Sequence, residues 1–130
     1  MQEIVNCSVL RYEHPNIQHL KACALDIREQ QNPLQKKALL LFSYINGGTL
    51  YSYVKNGEFE KFLNQKYPNN QKAQKEAMLD FFIQLCDGLE YLHNQNLYHC
   101  DLTPRNIMVQ ISADKQNIKP VIIDYGISVF

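Results

Sequence analysis

The apolar residues of this chain fall into runs whose period changes along the sequence, and each change marks an element. Between Gln2 and Tyr12, Ile4, Cys7 or Ser8, and Val9 to Leu10 recur at roughly helical spacing. They predict a short helix closing before His14-Pro15, where proline disfavours a preceding helical residue. Ile17 to Leu25 reads as a strand. Asp26 to Lys37 is polar with Asn32-Pro33 as a breaker, and the unbroken run Ala38-Leu39-Leu40-Leu41-Phe42 reads as a buried strand completing a hairpin. Gly47-Gly48 ends it and frees the backbone before a short helix, Leu50 to Lys55. Phe59, Phe62 and Leu63 mark another helix, ended by Pro68-Asn69-Asn70.

A long helix is predicted from Gln74 to His93, where Met78, Phe82, Leu85, Leu89 and Leu92 recur at alternating steps of four and three. Phe81, Ile83 and Cys86 widen the stripe until the helix is mostly apolar, so it belongs inside. Burial of each large side chain is worth about 1.5–3 kcal/mol, enough to anchor this half of the fold. Beyond it the period shortens to that of a ribbon. Asn106 to Ile111 runs out, the polar turn Ser112 to Asn117 reverses the chain, and Ile118 to Ile123 returns.

The ribbon brings chemistry together. Asp101 precedes its first arm, Asn106 opens that arm and Asp124 follows the second, so an acid, an amide and a second acid converge at one end. Such a set suits a division of labour in which Asp101 accepts a proton, while Asn106 and Asp124 offer hard oxygen ligands to magnesium, which keeps phosphate oxygens in its shell.

Composition narrows the class. At 130 residues, 45% apolar and 20% charged, the chain is sized for one globular domain. Thirteen basic and thirteen acidic residues cancel, which gives no electrostatic footprint for nucleic acid or a membrane surface. The longest apolar run, Ala38 to Phe42, is far too short to span a bilayer, so a soluble, cytoplasmic product is expected. Cys7, Cys23, Cys86 and Cys100 lie at wide, irregular spacing and read as ordinary thiols of a reducing compartment. Cys100, inside the chemical stretch, reads first as a small buried filler and second as a reactive thiol.

His99-x-Asp101 with Asn106 five beyond, then Asp124-Tyr125-Gly126, resembles the catalytic and magnesium loops of eukaryotic protein kinases. Gly88 to His93 resembles the helix before that catalytic loop, and His14-Pro15-Asn16-Ile17 a segment that follows a helix bearing a glutamate, for which Glu3 is the candidate. Ser43 to Leu50 looks like the hinge. The resemblance implies an α+β, truncated bilobal kinase-like fold over residues 1–130. About 1–45 would be a small-lobe portion and hinge, and about 46–130 a large-lobe portion. It implies ATP and Mg²⁺ as cofactors and phosphoryl transfer to a hydroxyl of a protein substrate, serine/threonine first.

By the same resemblance Phe42 lies at the back of the adenine pocket, the backbone of Ser43 and Ile45 hydrogen-bonds adenine, and Met108 forms the floor. Thr49 replaces an acid that holds the ribose, Asp101 takes the substrate proton, and His99 packs to set the loop. Asn106 and Asp124 hold the metal. Three positions depart from the pattern. Cys100 replaces an arginine that pairs with an activation-loop phosphate, Thr103 replaces a lysine, and Tyr125 replaces phenylalanine. Arg105 is placed to supply the cation that Thr103 lacks.

A glycine-rich loop, a V-A-I-K-like lysine and an A-P-E have no counterpart in these residues. The 130 residues alone are therefore expected to transfer little or no phosphate, and the long helix to leave apolar surface uncovered. Two other readings compete: a non-catalytic kinase-like binding or scaffold module, and a small-molecule phosphotransferase of the aminoglycoside or choline kinase kind. His14 to Ile17, Gly47 to Leu50 and Gly126 favour a protein kinase over the latter, and three convergent groups favour catalysis over the former.

Overall fold

The computed structural model describes residues 13–25 and 38–124. The expected first helix with Glu3, the polar stretch 26–37, and Tyr125 and Gly126 lie outside the described residues. In chain order the elements are β1 (Leu20–Leu25), β2 (Ala38–Phe42), α1 (Leu50–Lys55), α2 (Glu58–Lys66), α3 (Gln71–Asn94), a 3-10 turn (Pro104–Asn106), β3 (Ile107–Ile111) and β4 (Ile118–Ile122). β1 pairs with β2 and β3 with β4, both antiparallel.

The β3–β4 ribbon pairs without interruption from Ile107↔Ile122 to Ile111↔Ile118, because β-branched residues on both arms fit a pleated surface. Its turn is held by Asp114, whose Oδ1 accepts from Ser112 Oγ at 2.6 Å and from the Gln116 N–H at 3.0 Å. The Ser112 bond, then the Gln116 bond, hold the Asp114 carboxyl below the usual carboxylate range.

Both outer edges of this ribbon are occupied. Along β4, the Ile122 N–H donates to Asn16 O at 2.8 Å and the Gln18 N–H to Ile122 O at 2.9 Å. The expected strand from Ile17 therefore begins only at Leu20. Ile17 bridges to Ile122 instead, since the chain must first follow β4 before it can turn up toward β2. Along β3, the Gly47 N–H donates to Val109 O at 2.8 Å and the Val109 N–H to Gly48 O at 2.9 Å. Asn46 extends the edge with its side chain, donating to Ile111 O at 3.0 Å and accepting from the Ile111 N–H at 2.8 Å. The two glycines answer different demands. A Cβ on Gly47 would lie 2.3 Å from Val109 O, whereas Gly48 turns through a φ of +74°.

The β1–β2 hairpin is looser. Its register shifts between Leu20 and Ala22, and the strand expected to be buried leaves Leu39 72% and Leu41 58% exposed. Pairing covers the strand's polar edge but only one of its faces, so alternate side chains stay outside.

α3 packs on β4. It starts at Gln71, three residues before the expected Gln74, because Asn70 Oδ1 caps it by accepting from the Ala73 N–H at 3.1 Å. Its buried stripe is Phe81, Leu85, Gly88 and Leu92. Met78 and Phe82, read from spacing as inward, face out with Leu79, Ile83 and Cys86, so the helix is buried along one face only. A helix apolar on most of its surface leaves the choice of face to its partners. Gly88 fixes it here, since a Cβ there would lie 3.1 Å from Asn16 O and 3.2 Å from Ile122 Cδ1. Phe81 then meets Phe59 of α2 edge-on at 5.3 Å, and Phe59 meets Tyr53 of α1 edge-on at 6.0 Å. Among the described residues no helix is long and apolar enough to cross a membrane.

Candidate functional site

One imidazole holds the two loops in place. His99 is buried, Leu97 just before it is wholly covered, and between them they pin the chain as it leaves α3. The Asp101 N–H donates to His99 Nδ1 at 3.2 Å. Since that N–H can only donate, Nδ1 is the acceptor and Nε2 carries the hydrogen given to Ile123 O at 2.8 Å. The same ring thus fixes the backbone of Asp101 directly and that of Asp124 through the residue before it.

Asn106 closes the arrangement. Pro104 starts the 3-10 turn with its fixed φ, and the Asn106 N–H donates to Thr103 O at 2.9 Å. This aims the Asn106 amide back, where Nδ2 donates to Asp101 O at 2.9 Å and to Asp101 Oδ2 at 3.2 Å. Ile123 N–H donates to Asn106 O at 3.0 Å, so Asn106 and Asp124 stand at the same end of the ribbon. Both carboxylates are exposed. Asp124 leaves β4 through a left-handed φ of 56° and Cys100 enters the loop at 67°. Such backbone costs roughly 1–2 kcal/mol for a residue with a Cβ, and here the His99 bonds on either side hold it.

Cys100 is exposed rather than the buried filler expected, because the left-handed turn carries it onto the rim, where its Sγ donates to Tyr98 O at 3.2 Å. Arg105 is exposed, and its guanidinium carbon stands 4.2 Å from the centre of the Tyr51 ring on α1.

The residues expected to form a hinge are Ser43, Ile45, Thr49 and, before them, Phe42. The Ser43 N–H is committed to His19 O at 2.9 Å, and its carbonyl accepts from Gln18 Nε2 at 3.3 Å with one lone pair left over. Ile45 is buried by its side chain. Thr49 caps α1, its Oγ1 accepting from the Ser52 N–H at 3.1 Å and donating to Ser52 Oγ at 3.1 Å. Thr49 also bridges to Met108, which brings the start of α1 against the ribbon that carries Asn106. Phe42 at the end of β2 is half-buried.

The Asn106 amide, with its nitrogen turned to Asp101, leaves Oδ1 as its outward acceptor. Among the described residues no three His, Cys, Asp or Glu side chains gather as a metal cage. One amide oxygen and one carboxylate fit a hard cation such as magnesium that completes its shell with phosphate and water.

The model of the protein kinase domain matches residues 1–130, the whole chain. The chain belongs to the protein kinase family. Sperm motility kinase 1 of Mus musculus is 30% identical over 120 residues, covering 92% of this chain and 19% of that protein. Serine/threonine-protein kinase ksp1 of Schizosaccharomyces pombe is 36% identical over 70 residues, covering 54% of this chain and 15% of its own length. The fold resembles that of the Rad53 kinase domain, solved with SCD2 in complex with AMPPNP, at a TM-score of 0.63 and 16% identity. That match covers 98% of this chain and 40% of the other. The kinase-like α+β fold expected from the motifs is thus the one observed, and this chain spans less than a fifth of the two curated kinases.

Three residues of this kinase domain escaped the sequence reading. Asn16 is buried beside β4 and donates from Nδ2 to Pro120 O at 2.9 Å. Asn46 carries a signal in hindsight, an amide just before paired glycines, a common turn setting. Tyr51 carries none, since one exposed aromatic on a short helix is ordinary.

Proposed function

We propose that this chain carries the phosphate-holding and proton-accepting centre of an ATP-dependent protein kinase acting on a serine or threonine hydroxyl of a protein substrate. The observation that supports this reading is the His99 imidazole tying the Asp101 and Asp124 loops together, with Asn106 bonded back to Asp101. In it residues 1–45 contribute the small-lobe side and hinge, and residues 46–130 the large-lobe side.

Asp101 orients the substrate hydroxyl and accepts its proton, work worth about 10²–10⁴ in rate. The Asn106 amide holds that carboxylate by Oδ2 and keeps it from swinging away. Asn106 Oδ1 and Asp124 would hold Mg²⁺, which when bound neutralises the phosphate charge that develops during transfer. Arg105 supplies a further cation at the rim where Thr103 offers none. Phe42 backs the adenine, Met108 floors it, and the backbone of Ile45 and the spare lone pair of Ser43 hold its edge. Thr49, with its hydroxyl committed to the α1 cap, makes at most a weak ribose contact.

The test has two arms. ATP with Mg²⁺ should raise the melting temperature of the 130-residue chain, ATP with EDTA should not, and Asp124→Asn should abolish the difference. In the protein, Asp101→Asn should lower phosphoryl transfer about 10²–10⁴-fold while MgATP still binds. Binding without transfer in the unaltered polypeptide would leave a nucleotide-holding scaffold. Absence of both binding and transfer would remove the kinase activity altogether.

A further inference from the structure

The charges at the mouth of this site are unevenly spread. Across the chain thirteen basic and thirteen acidic residues cancel, yet two cations gather on one ring beside the proton acceptor. Arg105 places its guanidinium carbon 4.2 Å from the Tyr51 ring centre, and Lys55 places its Nζ 5.6 Å from the same centre. The two charges therefore lie no further apart than those two distances end to end. Tyr51, Lys55 and Arg105 are all exposed, and neither cation forms an ion pair among the described residues.

A ring face holds a cation in place without neutralising it, which a carboxylate would do. With two like charges this close to one ring, an anion within reach of both gains from each of them. The position of the pair points to the substrate. Arg105 lies in the 3-10 turn between Asp101 and Asn106, and the Asn106 amide ties that turn to Asp101. α1 packs against the turn. A peptide whose hydroxyl reaches Asp101 brings its neighbouring residues to this platform.

We infer that Lys55 and Arg105 read an anionic side chain flanking the accepted hydroxyl, with Tyr51 as the residue that positions both cations, so that the kinase prefers acidic or already phosphorylated substrates. This rests on the kinase activity proposed for the site and adds the class of substrate to it.

The experiment uses the protein and serine peptides identical except for one flanking residue. That residue is Glu, phosphoserine, Gln or Lys, placed in turn at each of three positions on either side. Glu should exceed Gln in kcat/KM by roughly 3- to 30-fold at its best position, the worth of two exposed ion pairs. Phosphoserine should exceed Glu there, since it carries more charge. Both gains should fade in 0.5 M NaCl. Lys55→Glu with Arg105→Glu should turn the preference toward Lys. Tyr51→Leu should flatten it, and Tyr51→Phe, which keeps the ring face, should restore it.

If the double variant does not fold, the salt series on the unaltered protein and the exposed single change Lys55→Gln carry the test alone. Equal kcat/KM for Glu and Gln at every position overturns the inference and leaves the kinase reading standing. So does a rise in KM for ATP on Lys55→Gln with peptide preference intact, which would assign the cations to the nucleotide. Transfer to no peptide at all overturns both.

Discussion

The two hairpins of this kinase domain are of nearly equal size and differ in almost everything else. β3–β4 is paired in one unbroken register and clamped on both edges, by Asn16 to Gln18 on one side and Asn46 to Gly48 on the other. β1–β2 carries a register shift and turns Leu39 and Leu41 outward. The candidate catalytic groups stand at the end of the clamped one. The contrast shows how a ribbon becomes precise: its own pairing fixes two strands to each other, but only a partner along each outer edge fixes them to the rest of the molecule. Side chains that must keep a fixed geometry are best placed where all four edges are satisfied.

The largest test of that contrast compares one side chain from each ribbon. Ile122 is 0% exposed and Leu41 58%. Ile122→Ala should cost about 2–5 kcal/mol, part from lost burial and part from the cavity left behind. Against a total stability of roughly 5–15 kcal/mol that is enough to unfold much of the population. Leu41→Ala should stay within about 0.5 kcal/mol. Urea midpoints measure both. If Leu41→Ala proved as costly as Ile122→Ala, β2 would be covered in solution and the contrast between the ribbons would be lost.

The sequence was most legible where local chemistry decides structure. The extent of α1 and α2, the ribbon with its polar turn, and the convergence of Asp101, Asn106 and Asp124 all follow from turn residues, β-branched runs and short-range spacing. It was least legible where a partner decides. The run Ala38 to Phe42 is apolar at every position, so no pattern tells which face is covered. α3 carries apolar residues on more than one face, so spacing groups Met78 and Phe82 with Leu85, and the covered face is decided only where Gly88 meets Asn16. Ile17 has the side chain of a strand residue, but it makes only an isolated bridge beside β4, to Ile122, more than a hundred positions along the chain. Cys100 failed for another reason: burial was inferred from residue type, and the left-handed backbone at that position overrode it. Within the site, no spacing rule predicts that Tyr51 will lie under Arg105.

A smaller effect sharpens the account of the clamp itself. Gly47→Ala sets two terms against each other. Replacing glycine stabilises through the unfolded chain by about 0.4–1 kcal/mol where the fold has room. Here the added Cβ meets Val109 O at 2.3 Å, and a backbone carbonyl inside a paired strand cannot move aside without breaking the ladder. Overpacking of this kind costs about 1–3 kcal/mol, so the net should be destabilising by roughly 1–2 kcal/mol. The urea midpoint should fall, and amide exchange at the Val109 N–H, which donates to Gly48 O, should quicken more than at Ile111. A midpoint that rose would mean the hinge edge has slack, and the β3 side of the clamp would be weaker than the β4 side.

The smallest effect concerns that β4 side. His14 begins the segment that lies along β4, and its Nδ1 accepts from the Asn16 N–H at 3.1 Å, while its ring stacks on Tyr91 at 5.1 Å. Burial lowers the His14 pKa below the ordinary histidine value of 6.5, and nearby Lys119 lowers it further against the opposing pull of Asp87. The unfolded chain therefore takes up this proton at a higher pH than the folded one. The stability linked to His14 is fully present above about pH 6.5 and is lost as the pH falls from there through the lower folded value. Protonation also strips Nδ1 of the lone pair that receives the Asn16 N–H, so the loss falls on the clamp. Urea midpoints at pH 7.5, 6.5 and 5.5 should decline more in the unaltered chain than in His14→Gln, by less than the Gly47→Ala effect because the ring is only half-buried. Parallel declines in the two proteins would show that the β4 edge is held by the bonds of Asn16 and Gln18 to Ile122 and Pro120, with His14 contributing nothing to it.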